Sequence, residues 1–106
     1  MRKFVIDCCT VTSKMDLWEK YLEITQPGGV EFFGYNLGAF NDAITAGGPG
    51  WPGECEIYFT NTWQIKKFCG DTFYESLQRI ATESTSARIY LEPPIIPERP
   101  WWKIWL

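Results

Sequence analysis

Apolar and polar positions along the chain follow two rhythms. Between Arg2 and Asp7 the apolar run Phe4, Val5, Ile6 is bounded by charge, which predicts a short strand. Met15, Leu17, Trp18, Tyr21 and Leu22 then recur at helical spacing and predict an amphipathic helix over 14–24. Thr10, Thr12 and Ser13 are turn and cap residues before it, with Ser13 and Asp16 in a loose capping-box spacing. Gln26-Pro27-Gly28-Gly29 ends it. Asn36 can cap a second helix that presents Leu37, Phe40 and Ile44 as a buried stripe, leaving Asp42 and Thr45 exposed. From 47 to 53 the chain has four glycines and two prolines around Trp51, which excludes helix and strand.

Glu54 to Thr60 alternates strictly. Cys55, Ile57 and Phe59 point one way, Glu54, Glu56 and Tyr58 the other, as in a strand. A short helix fits around Trp63 to Phe68. Asp71 can cap a further helix carrying Phe73, Leu77 and Ile80, with Glu75, Arg79 and Glu83 off that face. Ser84-Thr85-Ser86 is a turn, and Arg88 to Leu91 a third strand. Strands separated by helical segments predict an α/β domain, a small three-stranded parallel sheet packed with helices, over residues 1–91. Residues 92–106 read as a separate extension, Pro93, Pro94, Pro97 and Pro100 favouring extended chain. It ends Trp101-Trp102-Lys103-Ile104-Trp105-Leu106, an aromatic segment that has to pack on something. It covers a sheet edge or helix groove of its own domain, or it contacts a partner.

Composition narrows the chemistry. At 106 residues the chain is one domain's worth. It has no histidine, so Ser-His-Asp and Cys-His catalysis are excluded. Cys8, Cys9, Cys55 and Cys69 form no C-x-x-C pair, so zinc-ribbon and thioredoxin-type motifs lack their signature. Two disulfides fit a secreted chain; with no signal-peptide pattern at the N-terminus, reduced thiols in the cytoplasm are the expectation. No base is visible beside Cys8-Cys9 to activate them. Glu54 and Glu56 share a strand face, but as a solvated pair rather than an acid/base couple. The glycines of 47–53 match no phosphate-binding motif, and no metal-ligand spacing occurs. An enzyme is therefore not expected, nor a cofactor or metal. The net charge of −3 argues against nucleic acid and for a basic protein partner. No apolar run is long enough for a membrane span.

The stretch Phe32-Phe33-Gly34-Tyr35-Asn36-Leu37-Gly38-Ala39-Phe40-Asn41-Asp42-Ala43-Ile44-Thr45 resembles the barstar family of ribonuclease inhibitors. There an aromatic pair and Gly-x-Asn-Leu lead into an acid-bearing helix. The motif covers about fourteen residues, and the order of elements agrees over residues 2 to 91. The resemblance implies a barstar-like fold and a bacterial, cytoplasmic immunity protein, monomeric when free. Its partner is a cognate toxin, a basic ribonuclease whose active site it occludes. By position Phe32 and Phe33 match the aromatic pair, Asn36 the helix-start asparagine, Asp42 the central acid and Thr45 a contact threonine. Glu83 lies near where the family has an acid late in its last helix. Three positions depart: Gly38 where the family has an acid, Asn41 where an aromatic is common, Arg79 where an acid is expected. The expected contact set is thus Phe32, Phe33, Asn36, Gly38, Asn41, Asp42, Thr45, Trp51 and Glu83, toward a different toxin from the founding one. The alternatives are immunity to a toxin that is not a ribonuclease, or an interaction module using the Trp-rich tail.

Overall fold

The computed structural model describes residues 2–95. Three strands and four α-helices follow in the order β1 (Arg2–Asp7), α1 (Lys14–Thr25), α2 (Leu37–Ala46), β2 (Cys55–Thr60), α3 (Trp63–Cys69), α4 (Asp71–Glu83) and β3 (Ala87–Leu91). A 3-10 turn, Val30–Phe32, lies before α2. The expected strands and helices are all present, with bounds within a residue or so. Two details differ. The 3-10 turn was not anticipated, and Asp71 does not cap α4. Gly70 holds the cap position, and Asp71 is the first helical residue with no side-chain bond to the turn.

The strands lie in chain order, β1-β2-β3, both pairs parallel. Each parallel step requires a crossover, and such crossovers are right-handed. Both steps here move the same way across the sheet, so both crossovers deliver their helices to one face. The register confirms the division. Phe4, Ile57 and Ile89 are aligned, as are Ile6, Phe59 and Leu91, on the helix side. Lys3, Glu56 and Arg88, then Val5, Tyr58 and Tyr90, are aligned on the other.

The core sits between the inner sheet face and the helices, and its centre is aromatic. The Trp18 ring lies 5.2 Å from Phe40 and 5.8 Å from Phe73, joining α1 to α2 and α4. Tyr21 meets Phe40 edge-on at 5.1 Å. Such pairs add about 0.5–1.5 kcal/mol each beyond area burial. The caps are as the sequence implies. The Ser13 hydroxyl accepts from Asp16 N–H, and Asn36 Oδ1 accepts from Ala39 N–H at 2.7 Å.

None of the four cysteines is paired; Cys8 and Cys55 are buried and Cys9 exposed. Burial pushes the Cys8 thiol up to about 12. The neighbouring Asp7 carboxylate raises the Cys9 thiol too. Neither is activated as a nucleophile. No described helix is long and apolar enough to cross a membrane.

A polar knot closes the C-terminal end of the sheet. Asp7 Oδ1 accepts from Asn61 Nδ2 at 2.7 Å and from Cys9 N–H at 3.0 Å. Glu92 accepts from Asn61 N–H, while its own N–H donates to Phe59 O and its carbonyl accepts from the Thr62 hydroxyl. The Asn61 amide, with Cys9 N–H second, holds the Asp7 carboxyl below the usual carboxylate range. A depressed folded-state pKa gives stability that is present above the unfolded value of about 3.9 and is lost as pH falls through the folded one. The stability difference between wild type and Asp7→Asn should therefore shrink on going from pH 6 to pH 3 in urea titrations. A difference that stays constant would show that the carboxylate charge contributes nothing.

Candidate partner-binding surface

The surface begins where the 27–36 segment is forced out over the core. The two phenylalanines of the motif go opposite ways. Phe33 is 4% exposed and packs on Trp18, Tyr21 and Tyr35, whereas Phe32 is 74% exposed. The expectation that both belong to a contact surface is corrected on this point: Phe33 is a core side chain, and its effect is to hold its neighbours in place. Tyr35 takes the next outward position, half-exposed and in the left-handed region at φ 53°. That conformation is costly for a residue with a Cβ, by about 1–3 kcal/mol, and persists only when the surroundings impose it. Here the Asn36 side chain imposes it, donating to Gly34 O at 3.0 Å while capping α2. Sequence reading passed over Tyr35, because the motif leaves that position open. An aromatic between a turn glycine and a capping asparagine was the available signal.

Helix α2 carries the polar part. Asp42 is exposed, and its carboxylate has no hydrogen bond or ion pair from the described residues. Its backbone carbonyl is fixed by two donors, the N–H groups of Gly47 and Gly48, at the left-handed end of the helix. Thr45 is exposed and its hydroxyl donates to Asn41 O at 2.6 Å. Its outward-facing hydroxyl oxygen remains able to accept.

The glycine-proline loop brings Trp51 back to this end of α2. Its ring lies over Gly47, and Trp51 N–H donates to Gly48 O. Two long-range bonds hold the loop. The Tyr21 hydroxyl donates to Gly50 O at 2.6 Å, and Gly50 N–H donates to Gly28 O at 3.1 Å. Burial pushes the Tyr21 phenol far above its usual range, so it remains a donor. Trp51 is thus partly exposed, with Asp42 and Trp51 flanking the Gly47-Gly48 turn.

Gly38, Asn41 and Glu83 meet elsewhere, in a groove of about 220 Å³ between α2 and α4, with Leu37, Ser76, Arg79 and Ile80. Asn41 Oδ1 is buried there without a partner among the described residues. An unmet buried acceptor costs about 1–3 kcal/mol. Gly38 has an unexceptional φ, and a side chain there would meet only the Asn36 Oδ1, at 3.3 Å from its Cβ. A larger groove, about 480 Å³, lies beyond Tyr35 among Glu19, Leu22, Glu23, Gln26, Pro27 and Val30. It shares only Tyr35 with the surface and none of the expected residues.

The expected residues thus fall in two regions. Phe32, Asn36, Asp42, Thr45 and Trp51 border the loop and the outer side of α2. Gly38, Asn41 and Glu83 line the groove beside it. No group of three or more potential metal ligands occurs among the described residues. What the arrangement offers is a carboxylate with no partner among the described residues, on a helix capped at both ends, with Trp51 on the other side of the Gly47-Gly48 turn. Comparison with protein-family models gives no match, and a search of curated proteins gives none either.

Gly50 tests how far the surface depends on the loop. A Cβ at Gly50 would lie 2.7 Å from Phe33 Cδ1, on a backbone at φ 91°. Gly53 has a similar φ of 82° and open space around it. Gly50→Ala should cost about 1–3 kcal/mol more than Gly53→Ala, the range of core overpacking. In thermal melts that is a further drop in Tm of roughly 4 °C or more. Equal melting of the two variants would show that the Phe33–Gly50 contact does not hold the loop.

Proposed function

We propose that the chain is a barstar-type inhibitor, an immunity protein that binds a ribonuclease toxin and occludes its active site with the 30–36 loop and α2. The observation that carries this reading is the Asp42 carboxylate, exposed on a capped helix and without a partner among the described residues. A ribonuclease site presents cationic donors arranged for a phosphate. A carboxylate held in place can accept the same charge-assisted hydrogen bonds. Because α2 is already fixed by its Asn36 cap and by the glycines at its end, little ordering is needed on binding. Trp51, across the Gly47-Gly48 turn from Asp42, and the exposed Phe32 and Tyr35 of the preceding loop supply apolar area for the partner. The action is binding, not catalysis, and needs no cofactor.

The departures from the family pattern define the partner further. With glycine at 38 the groove between α2 and α4 stays open, and Asn41 Oδ1 faces no donor. A toxin side chain that enters the groove carries an acceptor for Arg79. This partner is not the founding ribonuclease of the family. Arg79 is also what supports the second reading, immunity to a toxin that is not a ribonuclease, since it removes negative charge from the face. Ionic strength separates the two, because a charge-steered plug weakens as salt rises.

The test is capture from the cells that make the protein, with tagged wild type beside tagged Asp42→Ala. Asp42 is exposed, so its alanine variant should melt like wild type. Loss of one partner from a desolvated, hydrogen-bonded charge pair costs about 2–5 kcal/mol, so affinity should fall by roughly 30-fold or more. Wild type should retain a basic protein that degrades RNA only after release, and Asp42→Ala should not. A partner held equally by both forms, or one without ribonuclease activity, would overturn the proposal.

A further inference from the structure

The outer face of the sheet has no cover among the described residues. Parallel sheets are almost always covered on both faces. Here the one-way winding sends every crossover helix to the same side, so residues 2–95 leave the second face bare. That face is not polar throughout. Val5, Tyr58 and Tyr90 are direct neighbours in register and form a row across all three strands. Tyr58 and Tyr90 are stacked with centroids 4.8 Å apart and planes 14° from parallel. Val5 is 58% exposed and Tyr90 40%. The row beside it is charged, Lys3, Glu56 and Arg88, with Lys3 Nζ 3.9 Å from Glu56.

We propose that the chain's own residues 96–106 lie across this face and bury the Val5-Tyr58-Tyr90 row. Three observations support this occupant. The first is where the chain leaves the fold. Glu92 is tied to the end of the sheet by Phe59, Asn61 and Thr62, and at Pro93–Ile95 the chain bends, Ile95 N–H donating to Pro93 O at 2.8 Å. The remainder therefore starts four residues past the end of β3, an edge strand of the sheet whose outer face is bare. The second is length. Eleven residues follow Ile95, and extended at ~3.1 Å each they reach about 34 Å. The longest strands have six residues, about 20 Å at ~3.3 Å each, and three strands are about 10 Å across. The third is chemistry. Ile96, Pro97, Trp101, Trp102, Ile104, Trp105 and Leu106 match an apolar, aromatic row, and proline-containing extended chain is the form that aromatic surfaces bind best. Glu98 complements Lys3 and Arg88. Because α2 and the 30–36 loop belong to the helix side, this packing leaves the proposed inhibitory surface free, and either proposal can fail without the other.

Chymotrypsin digestion of the full-length protein tests it, followed by intact mass. Cleavage after Trp101 and Trp102 should be at least 10-fold slower than in a synthetic peptide of residues 92–106. Substituting Val5→Thr, Tyr58→Thr and Tyr90→Thr together places residues of good strand propensity at all three positions. It should restore cleavage to within about two-fold of the peptide. If the triple variant does not fold, Tyr90→Thr alone on the edge strand should raise cleavage at least three-fold. Wild-type cleavage at the peptide's rate overturns the proposal. So does protection that the substitutions leave unchanged, since the segment then packs elsewhere. Protection that disappears on dilution, with a dimer seen by sedimentation, also overturns it, because the cover is then a second copy.

Discussion

Everything in this molecule follows from the direction in which three parallel strands are wound. Right-handed crossovers that both step from β1 toward β3 have no choice of face. They place α1 and α2, then α3 and α4, on one side of the sheet. The core forms there, around Trp18, Tyr21 and Phe40, and α2 is held against α4 and the end of β3. The same constraint leaves Val5, Tyr58 and Tyr90 without helical cover. The surface around α2 and the bare outer face are thus two results of one topological rule.

The surface around α2 is set by rigidity more than by composition. The net charge is small, and no dense acidic cluster marks the face. Asp42 instead owes its position to fixed neighbours: Asn36 at one end of α2, the Gly47 and Gly48 N–H groups at the other, and Phe33 beneath the loop. The Tyr21–Gly50 bond adds a tie between α1 and the loop that carries Trp51. A single exposed carboxylate in water is worth little. Held in this way, and desolvated only when a partner covers it, Asp42 is the anion that the proposed reading offers to a phosphate-binding site.

Much of this was legible in the sequence, and the reasons are physical. The alternation of Cys55, Ile57 and Phe59, and the spacing of Leu37, Phe40 and Ile44, are periodicities that burial enforces directly. Ser13 and Asn36 acted as caps because their side chains can meet nearby backbone N–H groups without help from the rest of the fold. What could not be read depended on distant residues. Adjacent Phe32 and Phe33 are identical in kind, and only the 3-10 turn and the Gly50 backbone decide which is buried. The left-handed Tyr35 is imposed by Asn36, and the place of Trp51 by bonds that reach back to Tyr21 and Gly28. Asp71 had the right chemistry for a cap, but Gly70 could adopt the left-handed φ between two nearly contiguous helices, so the cap fell one residue earlier.

In the proposed complex, a bound phosphate and the Asp42 carboxylate compete for the same donors of the partner's site. The most direct measurement is therefore displacement: the complex with the captured ribonuclease, titrated with a non-cleavable dinucleotide. The account predicts that the dinucleotide and this protein exclude one another, the apparent affinity of each falling in proportion to the concentration of the other. A ternary complex, with dinucleotide and protein bound together at undiminished affinity, would contradict it.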